Sequence, residues 1–370
     1  MSSISRYHSL TKPWFLSLAI AAGILLWLPM MFNGSFKALL VAPLTGHLSN
    51  TIELKTKYTG FFPLDYFVGI MVGFFYPATS AQDEGYQYFV LDAYSTFACG
   101  FVWLHTEASR PGQKPKWITR ITTLGMLWQT FGAAIVLPIY YIIHLEWSSK
   151  SIVWKVTSLD RARALTPAFL LGVVAPTAII MAPTWMGPDY RSAEYHQTLV
   201  AIFMLSPIWV TAIQEVATIA SGWLRKGSSP VDAKARATWW IRAVYLETCV
   251  VSAAGHLYPA YKIMTTGDPE HINLTRLYLP SPFTNPSGIN DVLVIGSWLF
   301  LQFDHIIISL SSLSWALVLL RRTKLGEQFA TSTMIFSLLV GSVLIGPGAT
   351  VSASLYFREG FLGSNGERNY

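Results

Sequence analysis

Apolar runs about 20 residues long, separated by short polar stretches, recur along the whole 370-residue chain. A run of about 20 residues crosses the hydrocarbon of a bilayer as one helix. The pattern predicts nine such helices, at 14–32, 61–79, 86–105, 121–143, 165–185, 198–223, 239–263, 292–319 and 330–357. The second is the weakest, with Pro63 and Asp65 at its start and Pro77 near its end, so the count is eight if it does not cross. No internal repeat and no soluble block interrupts the series. The expected fold is therefore all-α, a single polytopic transmembrane helical bundle over residues 1–370.

Pro138, Pro176, Pro183, Pro207 and Pro347 fall inside these runs. Neighbouring helices must satisfy the backbone groups that such prolines free, which suits a bundle built around a cavity, although proline is common in membrane helices anyway. The first run follows Arg6 and Lys12 but is long for a signal peptide and has no small-x-small cleavage site after it, so it reads as an uncleaved span. Residues 265–291 are too polar and proline-rich to span, and read either as a lid over one mouth of the bundle or as an extended linker.

Composition agrees with lipid as the main solvent. The chain is 52% hydrophobic and 12% charged, whereas soluble domains carry about 25% charged residues. The net charge of +6 is spread over short loops, which favours membrane topology and anionic lipid over nucleic acid. Cys99 and Cys249 lie in apolar runs without metal-ligand spacing, so neither a metal site nor a disulfide framework is expected. With a cytosolic N-terminus the basic loops at 150–163, 225–236 and 321–324 are cytosolic too, as the positive-inside rule prefers. In that arrangement the loop holding Arg110, Lys114, Lys116 and Arg120 falls on the other side. The sequons at Asn33 and Asn273 then face the lumen, and the endoplasmic reticulum is the expected location.

Candidate chemistry lies in the lone polar groups inside these runs. Asp304 sits in WLFLQFDHIIISLSSLSWALVLL, near the middle of the eighth run. A carboxyl at that depth costs about 2.5 kcal/mol or more and by default marks a functional site. Out of water a carboxyl favours the proton-carrying form that a general acid needs, although a hydrogen bond to a neighbouring helix is the alternative reading. Glu107 closes the third run with Arg110 three residues on, which reads as a catalytic acid or as an interfacial ion pair. Glu215 and Glu247 are the other intramembrane acids, and Arg242 is close enough in sequence to neutralise one of them. Gln129 and Gln302 could orient a carboxyl. His144 and His256 read more readily as satisfied polar groups than as catalysts.

Missing motifs narrow the chemistry further. The sequence holds no aspartate-rich diphosphate site, Walker loop, GxSxG, HExxH or His-box pattern. Isolated acids among 14 Trp, 17 Tyr and 21 Phe remain. That combination suits protonation of an apolar substrate, because aromatic faces stabilise a cation without quenching it as a base would. A transporter or small-molecule receptor that binds protons or cations is the alternative, and a non-catalytic membrane scaffold is a third.

Two stretches carry a more specific signal. Glu107-Ala-Ser-Arg110-Pro-Gly with Trp128-Gln129-Thr-Phe-Gly132-Ala-Ala, and Leu301-Gln302-Phe303-Asp304 with the later Ser311-Ser312-Leu313-Ser314-Trp315-Ala316, resemble fungal integral-membrane terpene cyclases of meroterpenoid pathways. Cyclases of the ascochlorin, ascofuranone and macrophorin type belong to that group. The resemblance implies acid-initiated cyclisation of an epoxidised farnesyl chain on an aromatic or polyketide core, with no metal, no cofactor and no departing diphosphate. It also implies a pathway epoxidase or oxidase as a functional partner. By environment, Asp304 is the first candidate acid, with Glu107 as partner or alternative and Glu215 and Glu247 as substitutes. Trp298, Tyr140 and Tyr245 are the expected cation-facing aromatics, and Arg110, Gln129 and Gln302 the expected polar contacts.

Overall fold

The computed structural model describes residues 3–49, 52–150, 157–224, 230–282 and 291–364, and among them the regular structure is helical apart from one isolated bridge between His47 and Glu53. The first half comprises α1 Ser3–Phe32, α2 Ser35–Thr45, α3 Phe62–Thr79, α4 Glu84–Ser109, α5 Lys116–Thr119, α6 Ile121–Phe131 and α7 Ala133–Lys150. There follow α8 Leu159–Phe169, a π-helical turn Leu170–Val174, α9 Ala175–Ile180, α10 Pro183–Met186, α11 Ala193–Phe203 and α12 Ser206–Leu224. The remainder is α13 Pro230–Thr265, α14 Leu274–Tyr278, α15 Val292–Arg321, α16 Lys324–Gln328, α17 Thr331–Ile345 and α18 Pro347–Ser364.

Three stretches are long and apolar enough to cross a bilayer: Leu10–Phe32, Leu159–Met186 and Val292–Arg321. The α11–α12 pair, bent by 56°, makes a fourth if counted as one span. That is fewer than the nine read from the hydrophobic pattern, and part of the difference lies in segments that turn back. α2 and α3 run antiparallel: the Tyr66 hydroxyl donates to Leu40 O at 2.9 Å, Gly69 faces Pro43 and Gly73 faces Leu39. A Cβ on Gly69 would stand 3.0 Å from the Pro43 ring, so the close approach needs glycine there. The 61–79 segment thus returns to the end at which α2 began, and α4 sets off from that end.

The direction of α4 overturns one expectation from the loop charges. Its C-terminal end lies with the 150–163 loop, not opposite it: the Thr157 hydroxyl donates to Ser109 O at 2.9 Å and the Trp147 indole to Gln113 O at 2.8 Å. Lys12 pairs with Glu146 at 3.3 Å and Arg322 donates to the Ser148 hydroxyl at 2.8 Å, so the basic loop 110–120 shares one end with most of the other cations. Residues 151–156 and 225–229 of the expected cytosolic loops lie outside the described residues.

Two further hairpins enter from this basic end. α6 rises to Gly132, α7 descends from Ala133, and the pair replaces the single span expected at 121–143. α17 and α18 reverse at Gly346, where Gly341 faces Thr350, and so replace the span expected at 330–357. The 15 residues of α17 rise about 22 Å at 1.5 Å each, short of the roughly 30 Å of hydrocarbon in a bilayer.

At the opposite end, residues 266–282 fold down onto the bundle. The Gln302 amide donates to Arg276 O and Leu277 O at 3.0 and 2.8 Å. Arg276 pairs with Asp83 at 2.6 Å, the Tyr278 hydroxyl donates to Asp92 at 2.7 Å, and Leu277 is fully buried. Residues 283–290 of the expected lid lie outside the described residues.

Candidate active site

The bundle encloses a cavity of about 420 Å3 between α1, α2, α3, α4, the α6–α7 turn, α11 and α15. Its walls are mainly aromatic. Trp128 stacks on Phe101 at 4.9 Å between centroids, and Trp27 and Phe74 meet Phe300 edge-on at 5.4 and 5.1 Å. Phe97 and Phe203 complete the aromatic lining, and the volume falls within the range of about 300–1,000 Å3 typical of small-molecule pockets. Asp304 is the one carboxyl among the described lining residues.

The α6–α7 turn holds that carboxyl. Asp304 Oδ1 accepts a hydrogen bond from the Ala134 N–H at 2.7 Å, and the Ala133 N–H bonds the same carboxyl. These are first-turn amides of α7, which have no partner inside the helix and carry its positive dipole end. Gly132 makes the turn with φ +99°, a region that side chains avoid. A Cβ there would also stand 2.6 Å from Leu26, 3.1 Å from Phe300 and 3.3 Å from Asp304 Oδ1. The helix break therefore aims a helix N-terminus at a buried acid and leaves the acid against the aromatic cavity.

Few other polar groups reach the cavity. The Gln129 amide donates to the Ser206 hydroxyl at 2.7 Å, while its Oε1 is buried without a hydrogen-bond partner. The Tyr94 hydroxyl, on a lining residue, is likewise buried and unpartnered. Sequence reasoning named Gln129 but missed Tyr94, Trp27, Phe74, Phe97, Trp128 and Phe300. Nothing local separates those aromatics from the other 46 in the chain, because what selects them is the packing of five distant segments.

Glu107 lies elsewhere, in a buried ion network at the basic end. Arg110 donates to it at 2.9 and 3.1 Å, Arg358 at 2.6 Å, and the His144 ring approaches at 3.1 Å. Arg110 also reaches Glu359 at 2.7 Å, and the Trp315 indole donates to His144 Nδ1 at 3.1 Å. Two arginines and two glutamates are thus nearly inaccessible to solvent and mutually neutralised, the condition under which burial of charge is tolerated. Tyr140 stacks on His144 in this cluster, and the hydroxyls of Tyr140 and Tyr245 are buried without partners. None of these residues lines the aromatic cavity.

The remaining sequence candidates are also dispersed. Glu215 is half exposed and pairs with Arg161 at 3.2 Å. Glu247 accepts from the Thr166 hydroxyl at 3.1 Å between α8 and α13, leaving Oε2 buried and unpartnered. Gln302, two residues from Asp304, pins the 266–282 segment as described. Trp298 stacks on Tyr86 at 4.9 Å, with the Arg276 guanidinium 4.7 Å over its ring. Of the expected constellation, only Asp304 and Gln129 line the aromatic cavity.

Comparison with known proteins identifies the family. The CtvD domain model matches residues 11–362. A terpene cyclase DEP1 of Fusarium langsethiae is 30% identical over 353 residues, covering 90% of this chain and 94% of that protein. The DEP1 terpene cyclase of Alternaria brassicicola is 28% identical over 357 residues with the same coverage, 90% and 94%. Terpene cyclase ascI of Acremonium egyptiacum is 25% identical over 273 residues, or 71% of this chain and 68% of its own. No solved structure matches. The chain belongs to the CtvD-domain family, the fungal meroterpenoid terpene cyclases that its sequence resembles.

Proposed function

We propose that the protein is an integral-membrane terpene cyclase in which Asp304 protonates the terminal epoxide of a farnesyl chain carried on an aromatic or polyketide core. The observation that carries this reading is a lone carboxyl, held by a helix N-terminus, in an aromatic-walled cavity. Relatives named terpene cyclases match nearly the whole chain, which supports the cyclase class.

Each part of the site has a role in such a reaction. The Asp304 proton adds to the epoxide oxygen, the C–O bond at the more substituted carbon opens, and internal alkenes attack in turn. Each attack forms one C–C bond and passes the positive charge along the chain. Loss of a proton from the final cation gives a product isomeric with the substrate. The amides of Ala133 and Ala134 stabilise the carboxylate left behind, as preorganised dipoles do for charge that develops during reaction. Trp27, Phe97, Phe101 and Trp128 stabilise the migrating cation through their ring faces and offer it no nucleophile. Gln129 Oε1 and the Tyr94 hydroxyl supply the few polar contacts that fix the chain's fold or accept the last proton.

In this reading the basic end faces the cytosol, with the N-terminus, and the end carrying Asn33 and Asn273 faces the lumen of the endoplasmic reticulum. An upstream epoxidation must supply the substrate. The test is conversion by microsomes from a yeast host, given a panel of epoxyfarnesyl phenols. A new product of unchanged mass, lost in Asp304→Asn at equal protein level, is expected. Unreacted epoxide across the panel with well-folded protein would overturn the proposal.

A further inference from the structure

The aromatic cavity is closed toward both ends of the bundle and open at its side. Toward the basic end, Trp128 lies against α4 at Gly100, where a Cβ would stand 2.6 Å from its ring. There α6 also meets α12: a Cβ on Gly125 would stand 2.6 Å from Pro207 and 3.2 Å from Phe101, and the Thr122 hydroxyl bonds Thr211 at 2.8 Å. Toward the other end, α15 packs directly on the α1–α2 turn, where a Cβ on Gly296 would strike the fully buried Ser35 and stand 3.5 Å from Met30. The Thr79 hydroxyl and the His196 ring meet at 2.8 Å and tie α3 to α11. The cavity is nevertheless not sealed.

Its mouth is marked by the two described lining residues that reach the surface. Phe67 on α3 is 39% exposed and Phe131, the last residue of α6, 48%, and every other described lining residue is less exposed. Phe131 immediately precedes the Gly132 turn that stands against Asp304, so the opening lies at the depth of the acid. The surface at the start of α3 is apolar. Phe61, Phe62 and Leu64 are exposed there, while Asp65 is turned inward and accepts from the amides of Tyr58, Thr59 and Gly60. An exposed apolar patch of this kind marks contact with lipid or with an apolar partner. Asp304 apart, no described lining residue carries a charge, so nothing along the route would hold an ion.

We infer that substrate enters and product leaves this cavity sideways, from the hydrocarbon of the bilayer, through a portal between α3 and α6 that the rings of Phe67 and Phe131 gate. The inference rests on the cyclase reading for the class of ligand and adds its route: a prenylated molecule already dissolved in the membrane reaches Asp304 without crossing water. Phe67 and Phe131 then act on exchange with the lipid rather than on the chemical step.

The test is the binding kinetics of tritiated farnesyl phenol, which lacks the epoxide and is not turned over, on the full-length protein in phosphatidylcholine nanodiscs. In a background of Cys99→Ala and Cys249→Ala, Phe67→Cys and Phe131→Cys are each alkylated with pyrenyl maleimide. Phe336→Cys, on an exposed residue of α17, is the control for a bulky adduct in the lipid. Association slowed about 10-fold or more by either portal adduct, and unchanged by the control adduct, is expected. Unchanged association with both portal adducts, or equal slowing in the control, overturns the portal and leaves the cyclase reading standing. No binding by the unlabelled protein removes that reading and the inference with it. Where an adduct lowers the melting midpoint, Phe67→Ala with Phe131→Ala replaces it. A gate sets both rates without setting their ratio, so association and dissociation should then quicken together at nearly constant Kd; unchanged rates count against the portal equally.

Discussion

Asp304 and Glu107 are both buried acids in helices, and their surroundings predict opposite phenotypes. Asp304 bonds two backbone amides and faces a cavity, so Asp304→Asn retains the shape and the fold but removes the transferable proton. Turnover of an accepted epoxide is expected to fall about 10²–10⁴-fold, the usual contribution of a general acid, with the melting midpoint in detergent unchanged. Glu107 neutralises Arg110 and Arg358. Glu107→Gln leaves buried positive charge uncompensated and is expected to cost about 3–5 kcal/mol of stability, read as earlier melting and lower accumulation. The fraction that folds should retain its turnover, and a normal melt with lost turnover would instead make Glu107 a reacting group. Gly132→Ala belongs between these cases. A Cβ there meets Leu26 and Asp304 Oδ1 and forces an unfavourable φ, worth about 1–3 kcal/mol, so both melting and turnover should drop.

At the level of elements, the three helical hairpins decide where the chemistry sits. The α6–α7 turn places a helix end at mid-bundle, which a continuous span through 121–143 could not do. The hairpin predicts that Thr119→Cys and Ser149→Cys, both exposed, react with an impermeant maleimide from the same face of sealed microsomes, in a background where Cys99 and Cys249 are Ala. Reaction from opposite faces would restore the single span. In the hydrophobic pattern of the sequence, α15 with Asp304 at its centre was legible from composition alone, whereas the short apolar α2 was missed. The pattern did not show reversal, because a mostly apolar run of 23 residues reads alike whether it continues or folds back at one glycine. The missed helix α2, on which 61–79 folds back, is what placed Glu107 and the 110–120 loop on the wrong side. Asp304 was visible as a lone charge in an apolar field, while the aromatic walls became identifiable only once α1, α3, α4, α6 and α15 were packed together.

Across the whole molecule, charge is sorted by end, with the basic loops gathered on one side and the Asn33, Asp83 and Asn273 turns on the other. The Glu107 network joins α4 to α18 across 251 positions of sequence. A chain ending before Pro347 is therefore expected to reach the membrane yet be degraded, and pulse-chase against the full chain checks this. The same separation sets a clock on biosynthesis. At about 5–20 residues per second, roughly 12–50 s pass between synthesis of Arg110 and synthesis of Glu359. Throughout that interval Glu107 and Arg110 have one another and, soon after, His144, and nascent α4 must wait at the membrane with half of its counterions still unmade.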